Sequence, residues 1–147
     1  MSSPRVSVLM EVSFGVDFLR LAVESILKQT FTDFELIVVG NCAKEDILKT
    51  LQDFHDQDSR IIIVTTADRV TLAEAMNKAF ACSRGEYIAR MDADDIAFPD
   101  RLEKEVDFLD QHPEIGLVGG QAIIIDKDSC ETGEKLSYPL SHEAVFS

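Results

Sequence analysis

Three aspartates stand within four positions directly after a short apolar segment. Asp92, Asp94 and Asp95 follow the run EYIARM at positions 86–91. Carboxylates this close repel one another and raise one another's pKa unless a cation or hydrogen-bond donors compensate them. Two of them are enough for a hard divalent ion, because Mg²⁺ usually takes one or two carboxylates and leaves its other positions to water and phosphate oxygens. The pattern therefore favours a Mg²⁺ or Mn²⁺ site for a diphosphate-bearing ligand.

A purely structural interpretation of the acidic segment is also open. Aspartate is favoured near helix N-termini, so Asp95 or Asp100 could simply cap the helix that follows. Three acids together after a hydrophobic strand favour the cation site instead. An EF-hand loop does not fit, because the segment lacks the central glycine and the bidentate glutamate of that motif.

Apolar periodicity predicts the elements that must position these acids. Short apolar runs rich in β-branched residues predict strands at 5–10, 34–40, 60–66, 86–91 and 115–125, most of them buried on both faces. Helical spacing of apolar residues predicts helices over 17–29, 44–56, 72–84 and 100–111. Alternating strands and helices indicate an α/β fold with a mainly parallel sheet flanked by helices.

Local signals refine two of these elements. The third helix is expected to open with a capping box from Thr71 to Glu74 and to close on Gly85 in a left-handed conformation. In open α/β sheets ligands bind at the carboxyl ends of strands, beside a switch point in strand order. If the fourth strand continues as extended chain, Asp92 and Asp94 share one side and Ala93 points away.

Composition limits the class of protein. The chain has 147 residues, 46% of them hydrophobic, which predicts one domain with a core at 4–125 and a polar tail at 126–147 that begins as a hairpin or excursion. A net charge of -13 disfavours nucleic acid and anionic membrane surfaces as partners. The three cysteines are widely spaced, and no apolar run approaches the roughly 20 residues of a membrane span. We expect a soluble, cytoplasmic protein.

Residues 4–120 resemble the N-terminal, nucleotide-binding half of family 2 glycosyltransferases, which are inverting enzymes. The matching segments are PRVSVLM, LAVESILKQTFTDFELIVV and the long stretch from LAEAMNKAF to PEIGLVG. Within that stretch DADD is similar to the family's DxD motif. The resemblance implies the GT-A fold, a Rossmann-like fold of nucleotide-diphospho-sugar transferases.

The resemblance also implies roles for the acidic segment. Asp94 would be the main ligand of the Mg²⁺ or Mn²⁺ ion that bridges the donor diphosphate, and Asp92 would lie near both the ribose and the metal. Asp95 would support the same loop as a third metal-site residue, and Ala93 would line the nucleotide-sugar site. The metal would stabilise the charge of the departing nucleoside diphosphate while an acceptor hydroxyl attacks with inversion.

Three loops depart from the family pattern. Where the family has a P-x-Y-N turn, this chain has EVSF, so Glu11 and Val12 occupy the nucleoside-binding turn and Glu11 places a negative charge beside the nucleotide. Asn41 stands in the usual DDGS segment and Arg69 replaces the start of an N-x-G turn. Asn41 could bind a base and Arg69 a phosphate, or both could be ordinary loop residues. Asn77 occupies a family position near the donor, although a helix-surface amide explains it equally well.

The resemblance implies a domain that transfers a sugar from a nucleotide-diphosphate donor, with a UDP-sugar expected, to a saccharide or lipid-linked acceptor. The setting would be bacterial surface polysaccharide synthesis, at the inner face of the cell membrane. The general base that deprotonates the acceptor hydroxyl normally comes from a C-terminal, acceptor-binding portion of the family. We therefore expect the general base to lie beyond Ser147 and this chain to be truncated at its C-terminus.

Two other interpretations remain. The chain could be a degenerate, non-catalytic module for binding or assembly, in which an exposed sheet edge favours a homo-oligomer. Phosphotransfer receivers and aspartate-nucleophile phosphatases fit less well. Their key aspartates follow the first strand, which ends here in EVSF, or lie on a mid-sheet strand with a matching lysine.

Overall fold

A computed structural model describes residues 3–137 of the chain. The chain divides into two compact units, Met1–Val106 and Asp107–Ser147. The elements in chain order are β1 Val6–Val12, α1 Val16–Leu27, β2 Phe34–Asn41, α2 Glu45–Gln57, β3 Ile61–Thr66, α3 Leu72–Cys82, β4 Tyr87–Asp92, α4 Arg101–Gln111, β5 Ala122–Ile125 and β6 Glu131–Leu136. The expectation of one domain over 1–147, with a core at 4–125, stays a prediction.

The first four strands form one sheet in the order β3-β2-β1-β4. All three pairings are parallel, and Val6 at the start of β1 lies opposite both Phe34 and Tyr87. The chain moves outward from β1 through β2 to β3 and then returns to the other side of β1 as β4. The carboxyl ends of β1 and β4 therefore flank the switch point where such sheets bind ligands. The predicted α/β class and parallel sheet are confirmed.

Helices cover both faces of this sheet. On one face α1, α2 and α4 bury residues such as Leu19, Leu51 and Leu102 against β1 and β2. On the other face α3 contributes Ala75 and Ala79, which join a second cluster that includes Leu9, Ile37 and Val39. The alternating side chains of each strand thus supply two apolar layers.

Burial on both faces is confirmed for β1 and β2, whose residues are nearly all buried. It is wrong for β4, where Ile88 and Arg90 are exposed. The reason is position: β4 is an outer strand of the described sheet, so one of its faces receives less cover. This exposed face carries Arg90, two residues before Asp92.

The predicted fifth strand at 115–125 is wrong for its first part. Strand structure begins only at Ala122, and β5 pairs antiparallel with β6 in a separate two-stranded sheet. Gly116, Gly119 and Gly120 lie in the segment before it, and glycine disfavours a strand because it loses the most conformational freedom on ordering. The hairpin predicted at the start of the polar tail is confirmed as far as residue 137, whereas 138–147 lie outside the described residues.

The end of α3 differs from the prediction in an informative way. The capping box between Thr71 and Glu74 is confirmed, with each side chain bonded to the backbone N–H of the other. The helix ends at Cys82, and Gly85 is not among the residues with positive φ, so its predicted left-handed cap is wrong. A Cβ at Gly85 would lie 2.4 Å from the backbone nitrogen of Ser7. Glycine is needed there because two backbones approach closely.

An ion pair between the buried Glu35 carboxylate and the more exposed Arg84 side chain lies beside this close approach. The Glu35 side chain is 3% exposed and its carboxylate accepts hydrogen bonds from Ser7 Oγ at 2.7 Å and from the Arg84 backbone N–H at 2.8 Å. The Arg84 guanidinium donates to the other oxygen, with Nε at 2.9 Å. Burial raises the pKa of Glu35, but the hydrogen bonds from Ser7 and Arg84 outweigh it and leave that pKa below its ordinary value. The cluster joins β1, β2 and the entry to β4.

We expect Arg84→Met to lower the free energy of unfolding by about 1.5–3 kcal/mol, because the buried Glu35 carboxylate loses a charged hydrogen-bond partner. Urea denaturation followed by circular dichroism measures the loss. Lys104→Met is the control: it removes an exposed pair with Asp100 one helical turn away, worth about 0.5 kcal/mol or less. Equal losses in the two variants would contradict a structural role for the Glu35 cluster.

The same ion pair predicts a pH dependence of stability. Because the pKa of Glu35 is lowered in the folded protein, its contribution is present above the ordinary glutamate pKa of 4.5 and is lost as the pH falls through the folded-state value. Glu35→Gln should therefore unfold with a shallower dependence on pH over this acidic range than the parent. Parallel pH profiles would show that Glu35 contributes no such linkage.

Candidate functional site

The acidic segment forms a tight turn at the carboxyl end of β4. The strand ends at Asp92, and the Asp95 backbone N–H donates to the Asp92 carbonyl oxygen at 3.3 Å. The predicted extended alternation of Asp92, Ala93 and Asp94 is therefore wrong, because the chain turns at Ala93 and Asp94. Asp94 and Asp95 are exposed and Asp92 is half-buried. All three carboxylates remain at one end of one strand.

The turn carries negative charge that the fold compensates only in part. Although Asp95 is an exposed residue, partial desolvation of its carboxylate, together with the charges of Asp92 and Asp94, raises its pKa. Arg101 and Arg90 act in the opposite direction without cancelling the shift. The local field therefore favours the arrival of a cation.

A fourth carboxylate lies on the neighbouring strand. Glu11 of β1 is directly opposite Asp92 of β4, and Leu9 is opposite Arg90. Strand alternation places Glu11, Asp92 and Arg90 on the same sheet face as Leu9, the face against which α3 packs. Ser13 Oγ donates to Glu11 Oε1 at 2.8 Å, and Arg90 Nη2 donates to Asp92 Oδ1 at 2.6 Å. The charge that Glu11 was predicted to bring to the nucleotide site thus lies beside the acidic turn.

Two predicted site residues have apolar side chains that pack wholly or partly against the core. Val12 is 1% exposed and packs in the cluster beneath α1, and the half-buried Ala93 packs against the same cluster. A hydrogen bond from either residue to a nucleotide sugar would therefore come from its backbone atoms.

Asn41 holds a loop at the carboxyl end of β2. It is 3% exposed, and its Oδ1 accepts from the Val70 backbone N–H at 2.9 Å and from Thr66 Oγ1 at 3.2 Å. Its Nδ2 donates to the Val70 carbonyl oxygen at 2.9 Å. These bonds fix the connection between β3 and α3, which carries the exposed Arg69. Asn41 thereby positions Arg69, whichever ligand that loop meets.

Asn77 lies on the solvent side of α3. Ala75 and Ala79, two residues before and after it, pack against the sheet, so helical periodicity turns Asn77 to the opposite side, where it is exposed. The structure does not bring its side chain to the packed face of the helix.

Sequence reasoning missed two polar residues of α1 and its C-terminal turn that hold the segment after the acidic turn. Ser25 Oγ accepts from the Ala97 N–H at 3.0 Å. Gln29, which is 4% exposed, donates to the Phe98 carbonyl oxygen at 2.7 Å and accepts from the Leu102 N–H at 3.0 Å. The available signal was the position of Ser25 and Gln29 next to the buried apolar stripe of α1. A polar residue at a buried position needs hydrogen-bond partners, which predicts that another segment packs there.

Arg101 at the start of α4 was also missed. Its Nη2 donates to the Arg90 carbonyl oxygen at 3.0 Å, its Nη1 reaches Met91 Sδ at 3.3 Å, and its Nε donates to Glu105 at 3.0 Å. Arg101 thus joins α4 to the last residues of β4. The acidic turn is held from both sides, by α1 and by α4.

The carboxylates of the acidic turn could supply some, but not all, of the ligands of a hard cation. Within residues 3–137 no three His, Cys, Asp or Glu side chains are arranged to hold one metal ion. Mg²⁺ does not require three, because water and substrate phosphates commonly supply its remaining ligands. The carboxylate oxygens of Asp92 and Asp94 have the right chemistry for such a site.

Comparison with known proteins identifies the class. The sequence profile described as Glycosyl transferase family 2 matches residues 7–137. The chain is 34% identical over 137 residues to the O-antigen biosynthesis glycosyltransferase WbnJ of Escherichia coli, covering 91% of this chain and 52% of that protein. It is 35% identical over 133 residues to the uncharacterized glycosyltransferase MJ1057 of Methanocaldococcus jannaschii, covering 87% and 45%. The chain belongs to glycosyl transferase family 2.

Solved structures agree on the fold. The mannosyltransferase PcManGT of Pyrobaculum calidifontis, solved with GDP-Man and Mn²⁺, superposes with a TM-score of 0.67 at 21% identity, over 74% of this chain and 33% of that one. S. aureus TarS 1-349, solved with UDP-GlcNAc, gives 0.69 at 20% identity, over 74% and 32%. The GT-A fold is confirmed.

The chain spans about half the length of the relatives that it matches, between 45% and 52% for the two named above. Among residues 3–137, no helix combines the length and apolar character that a membrane crossing requires.

We expect Gln29→Leu to lower the free energy of unfolding by about 1–3 kcal/mol, since the buried Leu102 N–H and the Phe98 carbonyl lose their partner. Hydrogen–deuterium exchange should also show faster exchange of the Leu102 amide. Gln52→Leu is the matched control, because Gln52 bonds only to Asp56 on the exposed side of α2 among the described residues. Unchanged protection at Leu102 in Gln29→Leu would contradict the role of Gln29 in holding this segment.

Proposed function

We propose that this chain forms the donor-binding part of a glycosyltransferase that moves a sugar from a nucleoside-diphosphate donor to a saccharide or lipid-linked acceptor. The observation that carries the proposal is the acidic turn Asp92–Asp95 at the switch point between β1 and β4. Membership of family 2 supports it. The name of WbnJ, an O-antigen biosynthesis glycosyltransferase, supports a role in bacterial surface polysaccharide synthesis. A lipid-linked acceptor would place the reaction at a membrane surface, for which we propose the inner face of the cell membrane.

The proposed cofactor is Mg²⁺ or Mn²⁺. Asp94 would be its main ligand because its exposed carboxylate lies at the tip of the turn, with Asp92 as second ligand and Asp95 in support. A bound divalent ion supplies Lewis-acid stabilisation of the charge that develops on the leaving diphosphate. The Mn²⁺ in the PcManGT complex supports this choice. The work of the chain itself is to hold the aspartates, through Gln29 and Arg101, at one edge of the sheet.

The proposed nucleoside contacts come from the ends of β1 and β2. Backbone atoms of Val12 and the side chain of Glu11 would line the site, and Arg69 would approach a phosphate from the loop that Asn41 holds. Asn77 stays in the proposal only because it lies on α3, the helix that follows the Arg69 loop. The UDP-GlcNAc complex of TarS supports a UDP-sugar donor, and the GDP-Man complex of PcManGT makes GDP the comparison to test.

A second candidate is a non-catalytic assembly module that forms a homo-oligomer. The observation that favours it is the exposed face of β4, an outer strand of the described sheet with Ile88 43% exposed. Analytical ultracentrifugation tests it. A monomer that binds UDP or GDP with Mn²⁺ would exclude this candidate, and a stable oligomer that binds neither would favour it.

We expect Asp94→Asn to weaken Mn²⁺-dependent binding of UDP or GDP at least about tenfold, which corresponds to about 1.4 kcal/mol, because the amide is a poorer ligand without charge. Isothermal titration of each nucleotide, with and without Mn²⁺, measures the change. Asp53→Asn, at an exposed position of α2, removes the same charge away from the site and should bind like the parent. No metal-dependent binding of either nucleotide by the parent would overturn the proposed donor site.

A further inference from the structure

Arg90 is the cation in direct contact with the proposed metal site. Among the described residues, the Arg90 side chain makes a single hydrogen bond, from Nη2 to Asp92 Oδ1 at 2.6 Å. Both side chains reach solvent, with Arg90 59% exposed and Asp92 46% exposed. An exposed pair of this kind contributes little to stability, so a stronger cation can separate it at low cost.

The other nearby arginine is held differently. Arg101 is 29% exposed and is bonded to Glu105, to the Arg90 carbonyl oxygen and to Met91 Sδ. Three contacts fix Arg101 in place, whereas one contact holds Arg90. Of these two arginines, Arg90 is therefore the one that can move when the charge of the site changes.

A metal ion and Arg90 compete for the same carboxylate. Mg²⁺ or Mn²⁺ on Asp92 would lie within about 2.1 Å of a carboxylate oxygen, and the guanidinium now bonded to Oδ1 would be only a few ångströms from a divalent charge. Repulsion between two cations at that separation is substantial even in water. Either the metal binds weakly or Arg90 leaves Asp92.

We propose that Arg90 is a built-in counter-ion which a divalent cation displaces from Asp92, and that the freed guanidinium then binds the diphosphate of the donor. The inference rests on the proposed metal site. Guanidinium is suited to the second step because its planar fork of donors matches phosphate oxygens. Arg90 and Asp92 share a strand face at the switch point, so both stay beside the same ligand.

This exchange couples the two ligands. In the empty site, metal binding loses the Arg90–Asp92 contact without gaining a replacement. When the diphosphate is present, Arg90 moves from one anion to another, so metal binding costs less. Metal and nucleotide must then raise each other's affinity by the same factor. Arg90 thereby favours a metal–nucleotide pair over metal alone.

Arg90→Met tests the proposal in the 147-residue chain. Mn²⁺ alone, measured by electron paramagnetic resonance of free Mn²⁺, should bind about threefold to tenfold more tightly, because an opposing charge near the ion is gone. UDP or GDP at saturating Mn²⁺ should bind about threefold or more weakly in calorimetry, since the diphosphate loses a cationic partner. The enhancement of Mn²⁺ affinity by nucleotide should fall correspondingly.

Arg5→Met is the matched control. Arg5 pairs with Glu86, the residue before the start of β4, at 3.1 Å, whereas the acidic turn follows the end of that strand. Replacing Arg5 therefore makes the same change in net charge away from the acidic turn. Circular dichroism checks that both variants are folded. The control should bind Mn²⁺ within about twofold of the parent, because exposed charges further apart than a Debye length are screened.

The outcomes separate this inference from the proposed function. Equal Mn²⁺ affinity in parent and Arg90→Met, with Mn²⁺-dependent nucleotide binding still weakened in Asp94→Asn, would overturn the counter-ion role and leave the donor site standing. Tighter Mn²⁺ binding with unchanged nucleotide affinity would overturn the diphosphate contact. No Mn²⁺ binding by either protein would overturn the metal site and this inference together.

Discussion

The parallel pairing of β1 with β4 is the constraint on which the site depends. Its register sets Glu11 beside Asp92 and Leu9 beside Arg90, so two acids and one base meet at a single edge of the sheet. A register shift of one residue would turn every side chain of β4 to the other face. The buried Glu35, bonded to Ser7 and Arg84 at the opposite end of the strands, opposes such a shift because it ties the entry of β4 to β1 and β2.

Buried polar side chains do for the loops what the Glu35 cluster does for the strands. Asn41 fixes the connection that precedes α3, and Gln29 fixes the segment between the acidic turn and α4. Each satisfies backbone groups of a loop that lacks regular secondary structure. A buried amide left without partners is costly, so each bond holds both the side chain and the loop. The loops of the proposed donor site are thus positioned by residues that need not touch a ligand.

The sequence was sufficient for features set by local chemistry. Apolar spacing predicted the helices and the first four strands, and Thr71 and Glu74 predicted a capping box. The cation site at the clustered aspartates stays a prediction. Sequence reasoning failed where a distant contact decides the outcome. Gly85 is required by the Ser7 backbone, which lies 78 residues away in the chain, and not by a helix cap. Ser25 and Gln29 resemble ordinary helix residues until the segment that they hold has folded against them.

The acidic turn raises the question of why a fold keeps like charges together. Partial desolvation, together with the charges of Asp92 and Asp94, raises the pKa of Asp95 and so favours its protonation, and hydrogen bonding to Arg90 neutralises Asp92. Both responses are reversible and cost little to undo, because Asp92 and Asp95 reach solvent, whereas the buried Glu35 carboxylate would lose its Arg84 partner only at a high cost in stability. A site that takes up and releases a cation, as proposed for this turn, needs the first kind of compensation. The solvent-accessible Asp92 at the turn and the buried Glu35 at the other end of the sheet therefore meet two different demands: the proposed exchange of cations at one edge, and a fixed strand register at the other.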